Sequence, residues 1–353
     1  MRLHCYMPLH PLYGHEGVRN RLAGAIASGR LPQALLLEGP AGIGKQRLAL
    51  WLAEAVLCET GRGEPCGNCP ACFAVARLSH PDVHWFVPLE PSKKAVEPDK
   101  QVELVAEALG EEMAARRDNP LHAPPSGLAG HAIAAVRLLL KHLALTPAVG
   151  RHKVFIIGDA ERLIPQVGQE AAANALLKAL EEPPADTQFI LTAADPDALL
   201  PTVLSRIVRV RMARIPDSVV TAFVQNELHE QHQDTVLQLV RAAEGRPGRL
   251  LADSRVGSGA DRSAEELLAA ARSGPAAGYA LALKQLPFQA RGGFTEMLDA
   301  LLARLGREAR ASMAPSRKLT EAIASVLEAR ERAQGNVNPQ LLAATLADEL
   351  AGT

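Results

Sequence analysis

Residues 31–57 read LPQALLLEGPAGIGKQRLALWLAEAVL, and the order of chemistry in this stretch sets the fold. An apolar run short enough for a buried strand, Ala34 to Leu37, follows Pro32 and passes into a glycine loop. After the loop, Leu48, Trp51, Leu52, Ala55 and Val56 recur at helical spacing. Strand, loop and helix in that order are the context a GxxxxGK phosphate-binding loop requires. Gly39, Gly42 and Gly44 let backbone N–H groups converge on phosphate oxygens, and the helix amino terminus adds partial positive charge. Lys45 can then reach the terminal phosphates of ATP or ADP. A hydroxyl residue that would hold magnesium belongs after the lysine, and Gln46 stands there instead. Its amide oxygen sits on a longer side chain, so magnesium binding is expected to be weak.

Two further strand signals, KVFIIGDAERL (153–163) and TQFILTAAD (187–195), flank the helical QEAAANALLKALEEPP (169–184). Alternation of strands and helices predicts an α/β parallel sheet, with Pro183 and Pro184 stopping the intervening helix. From about Ile215 strand signals thin out, and residues 218–252 read as a small helical unit. The break DSRVGSGADRS (253–263) separates it from Ala/Leu-rich helical patterns. The expected division is three domains: 1–212, 213–260 and 261–353. Residues 90–130 are of another character, a charged helical DKQVELVAEALGEEMAARR followed by the linker-like DNPLHAPPSGLAG.

The second strand ends Ile156, Ile157, Gly158, Asp159. Hydrolytic phosphate-loop enzymes place a magnesium-holding acid here, and many place a second acid beside it to activate water. If the first acid belongs directly after the apolar run, Gly158 has replaced it and Asp159 remains. If the register slips by one, Asp159 is the magnesium acid and Ala160 has lost the base. Either register leaves an incomplete pair.

Of the five cysteines, Cys58, Cys66, Cys69 and Cys72 fall together, with Gly61, Gly63, Pro65, Gly67 and Pro70 supplying turns. Four close thiolates suit a structural tetrahedral zinc with no open position. A ferredoxin-type cluster would need a further cysteine three residues on with a proline after it, and CFAVARL offers none.

Bulk properties narrow the function. A net charge of -1 and 3% aromatic content give no whole-chain footprint for nucleic acid and few rings for base stacking. No uninterrupted apolar run is long enough to span a bilayer, so the expectation is a cytoplasmic chain with no membrane partner. In LLPTVLSRIVRVRM (199–212), Arg206 stands among apolar residues, where a guanidinium needs an anion. Taken alone it reads as a surface ion pair, and Arg209 and Arg211 as the outward alternation of a strand.

Together these motifs resemble the clamp-loader branch of the AAA+ proteins. The resemblance rests on GHEGVRNRLAGAIASGRLPQALLLEGPAGIGK, the cysteine module running into HPDVHWF, KVFIIGDAERL, AAANALLKALEEPPADTQFIL, the LSR triplet and NVNPQLLAATLADEL. It implies a RecA-like AAA+ P-loop module with a zinc insert at 58–72, a helical lid, and an all-α collar domain that joins subunits into a ring. Implied partners are the gamma/tau motor subunits and the delta subunit, with the sliding clamp and primer-template DNA met through the complex. In such loaders an arginine of the LSR triplet projects into a neighbour's ATP site, and by position that residue is Arg206.

The resemblance also implies what a motor subunit keeps: a Ser/Thr after the loop lysine, an Asp-Glu pair, and a lid arginine. Here those positions hold Gln46, Gly158-Asp159 and Gly248, with Arg249 one residue off. The expectation is a subunit that does not hydrolyse nucleotide but acts in trans through Arg206. The alternative is an ATP-hydrolysing motor using Lys45 and Asp159. The segment 90–130 is longer than the resemblance implies and is assigned no role beyond a surface contact.

Overall fold

The computed structural model of the chain describes residues 9–90, 97–121, 129–163, 171–252, 258–285, 293–311, 316–333 and 337–351. These divide into two compact units, one reaching to Leu251 and the other beginning at Ala252.

The first unit opens with α1 (Glu16–Ala27), β1 (Ala34–Glu38), α2 (Lys45–Leu57), α3 (Pro70–Ala76) and β2 (Val83–Phe86). It continues through α4 (Pro98–Asp118), α5 (Ile133–Leu143), β3 (Lys153–Ile157), α6 (Ala171–Glu181), β4 (Thr187–Ala193), α7 (Pro201–Leu204) and β5 (Val208–Arg211). The strands form one parallel sheet in the order β2-β3-β4-β1-β5. β1, β3 and β4 are buried along their whole length, the condition of a strand covered on both faces.

Side-chain alternation sorts these strands between two cores. Leu36, Phe155, Ile157, Phe189 and Leu191 face one side with the buried residues of α4, α5 and α6. Leu35, Leu37, Val154, Ile156 and Ile190 face the other with α1, α2 and α3. Phe155 and Phe189 stack across β3 and β4 with centroids 5.4 Å apart. Because all five strands are parallel, the carboxyl ends of β1, β3 and β4 share one edge of the sheet, where α/β folds place their ligands.

The segment 90–130 is more than a surface addition. Its helix, α4, buries Val102 and Leu109 in the sheet core, and the Arg116 guanidinium lies 5.1 Å from the centre of the Trp85 ring. Leu89 and Gly130 bond to each other in both directions, N–H to O, at 3.0 and 2.9 Å. The linker-like part falls largely at 122–128, outside the described residues.

After β5 come α8 (Asp217–Glu227), α9 (Gln233–Ala243) and α10 (Arg249–Ala252). Ile215, Val220, Phe223, Val224, Val236 and Val240 give this segment a hydrophobic cluster of its own. The second unit is helical among its described residues: α11 (Ser258–Ser273), α12 (Pro275–Ala282), α13 (Gly293–Ala311), α14 (Arg317–Ala333) and α15 (Pro339–Leu350). Leu298, Leu301, Val326, Leu346 and Leu350 lie at the centre of its core. No helix among the described residues is long and apolar enough to cross a membrane.

Candidate nucleotide site and cysteine centre

The glycine loop occupies the predicted place, between the end of β1 and the start of α2. Gly42 and Gly44 take positive φ values of 82° and 96°, which a side chain would strain, and the loop can therefore turn its amides inward. The N–H groups of Gly42, Ile43, Gly44 and Lys45 meet no acceptor among the described residues. That is the donor set of a phosphate nest. Lys45 is buried, and its ammonium donates to the loop's own carbonyls, Gly39 O at 2.8 Å and Pro40 O at 3.1 Å. Burial lowers its pKa, opposed by the nearby charges of Asp159 and Glu161.

Gln46 and Gly158 explain each other. The Gln46 amide donates to Asp159 Oδ2 at 3.1 Å. A Cβ on Gly158 would stand 3.0 Å from Gln46 Nε2 and 3.1 Å from its Cδ, so the absent side chain leaves the space that the longer glutamine fills. Asp159 follows in a left-handed conformation, φ 48°, with its N–H held by Thr192 Oγ1 at 3.0 Å.

Glu161, which sequence reasoning passed over, joins this group from a short 3-10 turn at 160–163. One of its oxygens accepts the Ala194 N–H at 2.9 Å, while the other, buried, meets no donor among the described residues. Burial and then Asp159 raise its pKa, against the opposing Ala194 N–H and Lys45. Fully buried His131 bonds through Nε2 to Gly158 O at 2.7 Å and fixes that turn from below.

The loop is covered from the helical segment after β5. Gly248 donates its N–H to Gly42 O at 2.8 Å, and a Cβ at 248 would lie 3.0 Å from Gly42 Cα. No side chain fits at 248 without backbone movement. Arg249, the neighbouring candidate, turns to Glu244 Oε2 at 3.3 Å, a carboxylate it shares with Arg246 at 2.8 Å and Arg214 at 3.9 Å. Three guanidiniums thus converge on one carboxylate of the segment whose Gly248 bonds to the loop.

Arg206 lies just beyond α7. It pairs with Glu181 Oε1 at 2.5 Å and donates to Thr202 O at 2.6 Å, none of these partners belonging to the glycine loop. Arg209 and Arg211 are exposed on β5, as the outward alternation of a strand requires, and they also have a partner. Both bind the buried carboxylate of Glu38, at 2.6 and 3.4 Å, and so tie the edge strand to the end of β1.

Cys58, Cys66, Cys69 and Cys72 come together with all four sulfurs within 4.8 Å of one another. Zn–S bonds of about 2.3 Å in a tetrahedron imply sulfur separations of about 3.8 Å, so the donor set fits zinc with little rearrangement. Backbone N–H groups already point at the sulfurs: Cys66 to Cys58 at 3.4 Å, Cys69 to Cys66 at 3.3 Å, Cys72 to Cys69 at 3.4 Å. Burial would raise the Cys58 thiol, yet hydrogen bonds from Thr60 and Cys66 outweigh it and bring it down to about 6. The module seats on α1 through Gly63, where a Cβ would stand 2.3 Å from Ala23 O.

A glycine nest and lysine at the carboxyl edge of a parallel sheet, with an amide directly after the lysine, define a P-loop α/β module. Comparison with known proteins then gives the family. The model described as DNA polymerase III, delta subunit, matches residues 14–216, more than half of the chain, and the chain belongs to that family. It is 31% identical over 253 residues to DNA polymerase III subunit tau of Salmonella typhimurium, covering 70% of this chain and 33% of that one. It is 30% identical over 233 residues to DNA polymerase III subunit delta' of Escherichia coli, covering 66% of this chain and 57% of that one. With subunit delta' of Pseudomonas aeruginosa the identity is 34% over 177 residues, covering 50% and 42%. The chain thus spans between a third and just over half of the length of these relatives.

Proposed function

We propose that this chain is the delta' subunit of a DNA polymerase III clamp loader. In this reading it assembles with gamma/tau and delta, donates Arg206 to a neighbour's ATP site, and supports placement of the sliding clamp on primed DNA. The family match supports the clamp-loader assignment. The observation that carries the non-motor part is the Gln46–Asp159 bond across Gly158, which replaces a hydroxyl and an acid with an amide packed on a glycine. The segment 213–260 would be the lid, resting on the loop through Gly248, and 261–353 the collar. Four cysteines would hold zinc, and the nest would hold ATP or ADP.

Arg206 is paired with Glu181 in the chain alone, and in this reading the carboxylate would hand it to a phosphoryl group at a subunit boundary. The test is a reconstituted loader carrying Arg206→Ala. Assembly should persist, while turnover at the neighbouring site falls by about 10³-fold, the lower range for a donated arginine. Unchanged turnover would remove the trans role. Magnesium-dependent hydrolysis by the isolated chain, abolished by Lys45→Ala, would establish the motor alternative instead.

A further inference from the structure

The cluster Gln46, Gly158 and Asp159 does more than remove a metal ligand. We infer that the loop is a site for a nucleoside diphosphate held without a divalent cation, the Gln46 amide occupying the space between loop and acid where a cation would sit. This rests on the reading that the loop holds nucleotide. Three independent placements support it.

First, the space is filled. Gln46 Nε2 is 3.1 Å from Asp159 Oδ2, and the same amide lies against Gly158 closely enough that a Cβ there would meet it at 3.0 to 3.3 Å. An amide nitrogen carries two hydrogens, so one can stay on Asp159 while the other remains for a phosphate oxygen. An amide also cannot act as cation ligand through the nitrogen it turns toward the acid.

Second, Lys45 supplies positive charge within the loop, and further cationic side chains are carried on the segment that covers it. Lys45 lies within the loop, and Arg214, Arg246 and Arg249 share the single carboxylate of Glu244 on the segment whose Gly248 bonds to Gly42. These groups are fixed in place by folding and need no metal to assemble.

Third, two acids stand close to Lys45. Asp159 and Glu161 both act electrostatically on Lys45, and Glu161 has an oxygen with no donor among the described residues. A third phosphate reaching toward them with no cation between would meet like charge, whereas two phosphates are served by the nest alone.

The experiment is anisotropy titration of the full chain with a fluorescent ADP, and competition by unlabelled ADP and ATP, each in EDTA and in excess magnesium. ADP should bind with the same affinity in both buffers, and ATP more weakly than ADP in EDTA. Magnesium tightening ADP by about tenfold or more, which is ~1.4 kcal/mol, would overturn the inference and leave nucleotide holding intact. Absence of binding in either buffer would overturn both. The paired substitution Gln46→Thr with Gly158→Asp should create magnesium dependence of about tenfold or more. A folded double variant that binds ADP without magnesium dependence would show that Gln46 is not what excludes the cation. Should that variant fail to fold by circular dichroism, Gln46→Ala, which only opens space, reads the same arm: gain of magnesium dependence supports the inference and its absence counts against it.

Discussion

One helix carries two sites that met opposite fates. At its amino end α2 begins from Gly44 of the phosphate loop, and at its carboxyl end Cys58 caps it and opens the cysteine module. Thirteen residues, about 20 Å of helix, separate them. The cysteine end has its four donors gathered, with backbone N–H groups already aimed at three of the sulfurs. The loop end has its nest and lysine, and beside them an amide, a glycine and an acid stand in mutual contact. The difference is one of closure. A four-thiolate centre is satisfied internally once its metal is in place, whereas a phosphate nest stays open to whatever ligand suits what remains around it.

The comparison predicts a ranking of effects. Replacing Cys66 and Cys69 together by serine should release one equivalent of metal and destabilise the first unit by on the order of 5 kcal/mol, read by metal analysis and thermal melting. Loss of metal with no change in melting would make the cysteine end as dispensable as the loop's cation site. Next, Gly63→Ala should cost about 2 kcal/mol or more, because the new Cβ meets Ala23 O at 2.3 Å in a φ of 88°. Gly61→Ala, with φ 60° and open space, should cost only about 1 kcal/mol, so equal effects in denaturant melts would deny that the module docks on α1.

At the loop end the effects are smaller. Gly248→Ala presses a methyl on Gly42 and should destabilise by ~1–2 kcal/mol, with faster amide exchange at residue 248 as its signature. Protection there equal to the unchanged chain would mean the covering segment is not held by this contact. Smallest is Gln46→Ala, about 1 kcal/mol or less in melting, since one part-buried hydrogen bond is lost and Asp159 can turn to water.

Much of the sheet was legible because β1, β3 and β4 are buried on both faces and write themselves as short apolar runs. β2 was not: VHWF is an edge strand, only half-buried at three of its four positions, and its sequence carries a histidine where a core strand would be apolar. The glycine loop and the four cysteines are local patterns, readable from spacing. The Gln46–Gly158 fit, the Glu161–Ala194 bond and the seat of Gly248 on Gly42 each join residues distant in the chain, and nothing local announces them. Sequence could register that three residues were unusual. That two of them fill and vacate the same space needed the fold.

The mutual bonds of Leu89 and Gly130 bear on how this chain tolerates its long excursion at 90–130. Entry and exit stand side by side, so the excursion closes on itself, and residues added outside α4, which packs in the sheet core, need not disturb the strands. Doubling the number of residues between such anchors adds only about 0.6 kcal/mol of closure entropy. The doorway is therefore a port for splicing: a reporter or affinity module inserted there need only leave α4 attached, and strand register has no part in the cost.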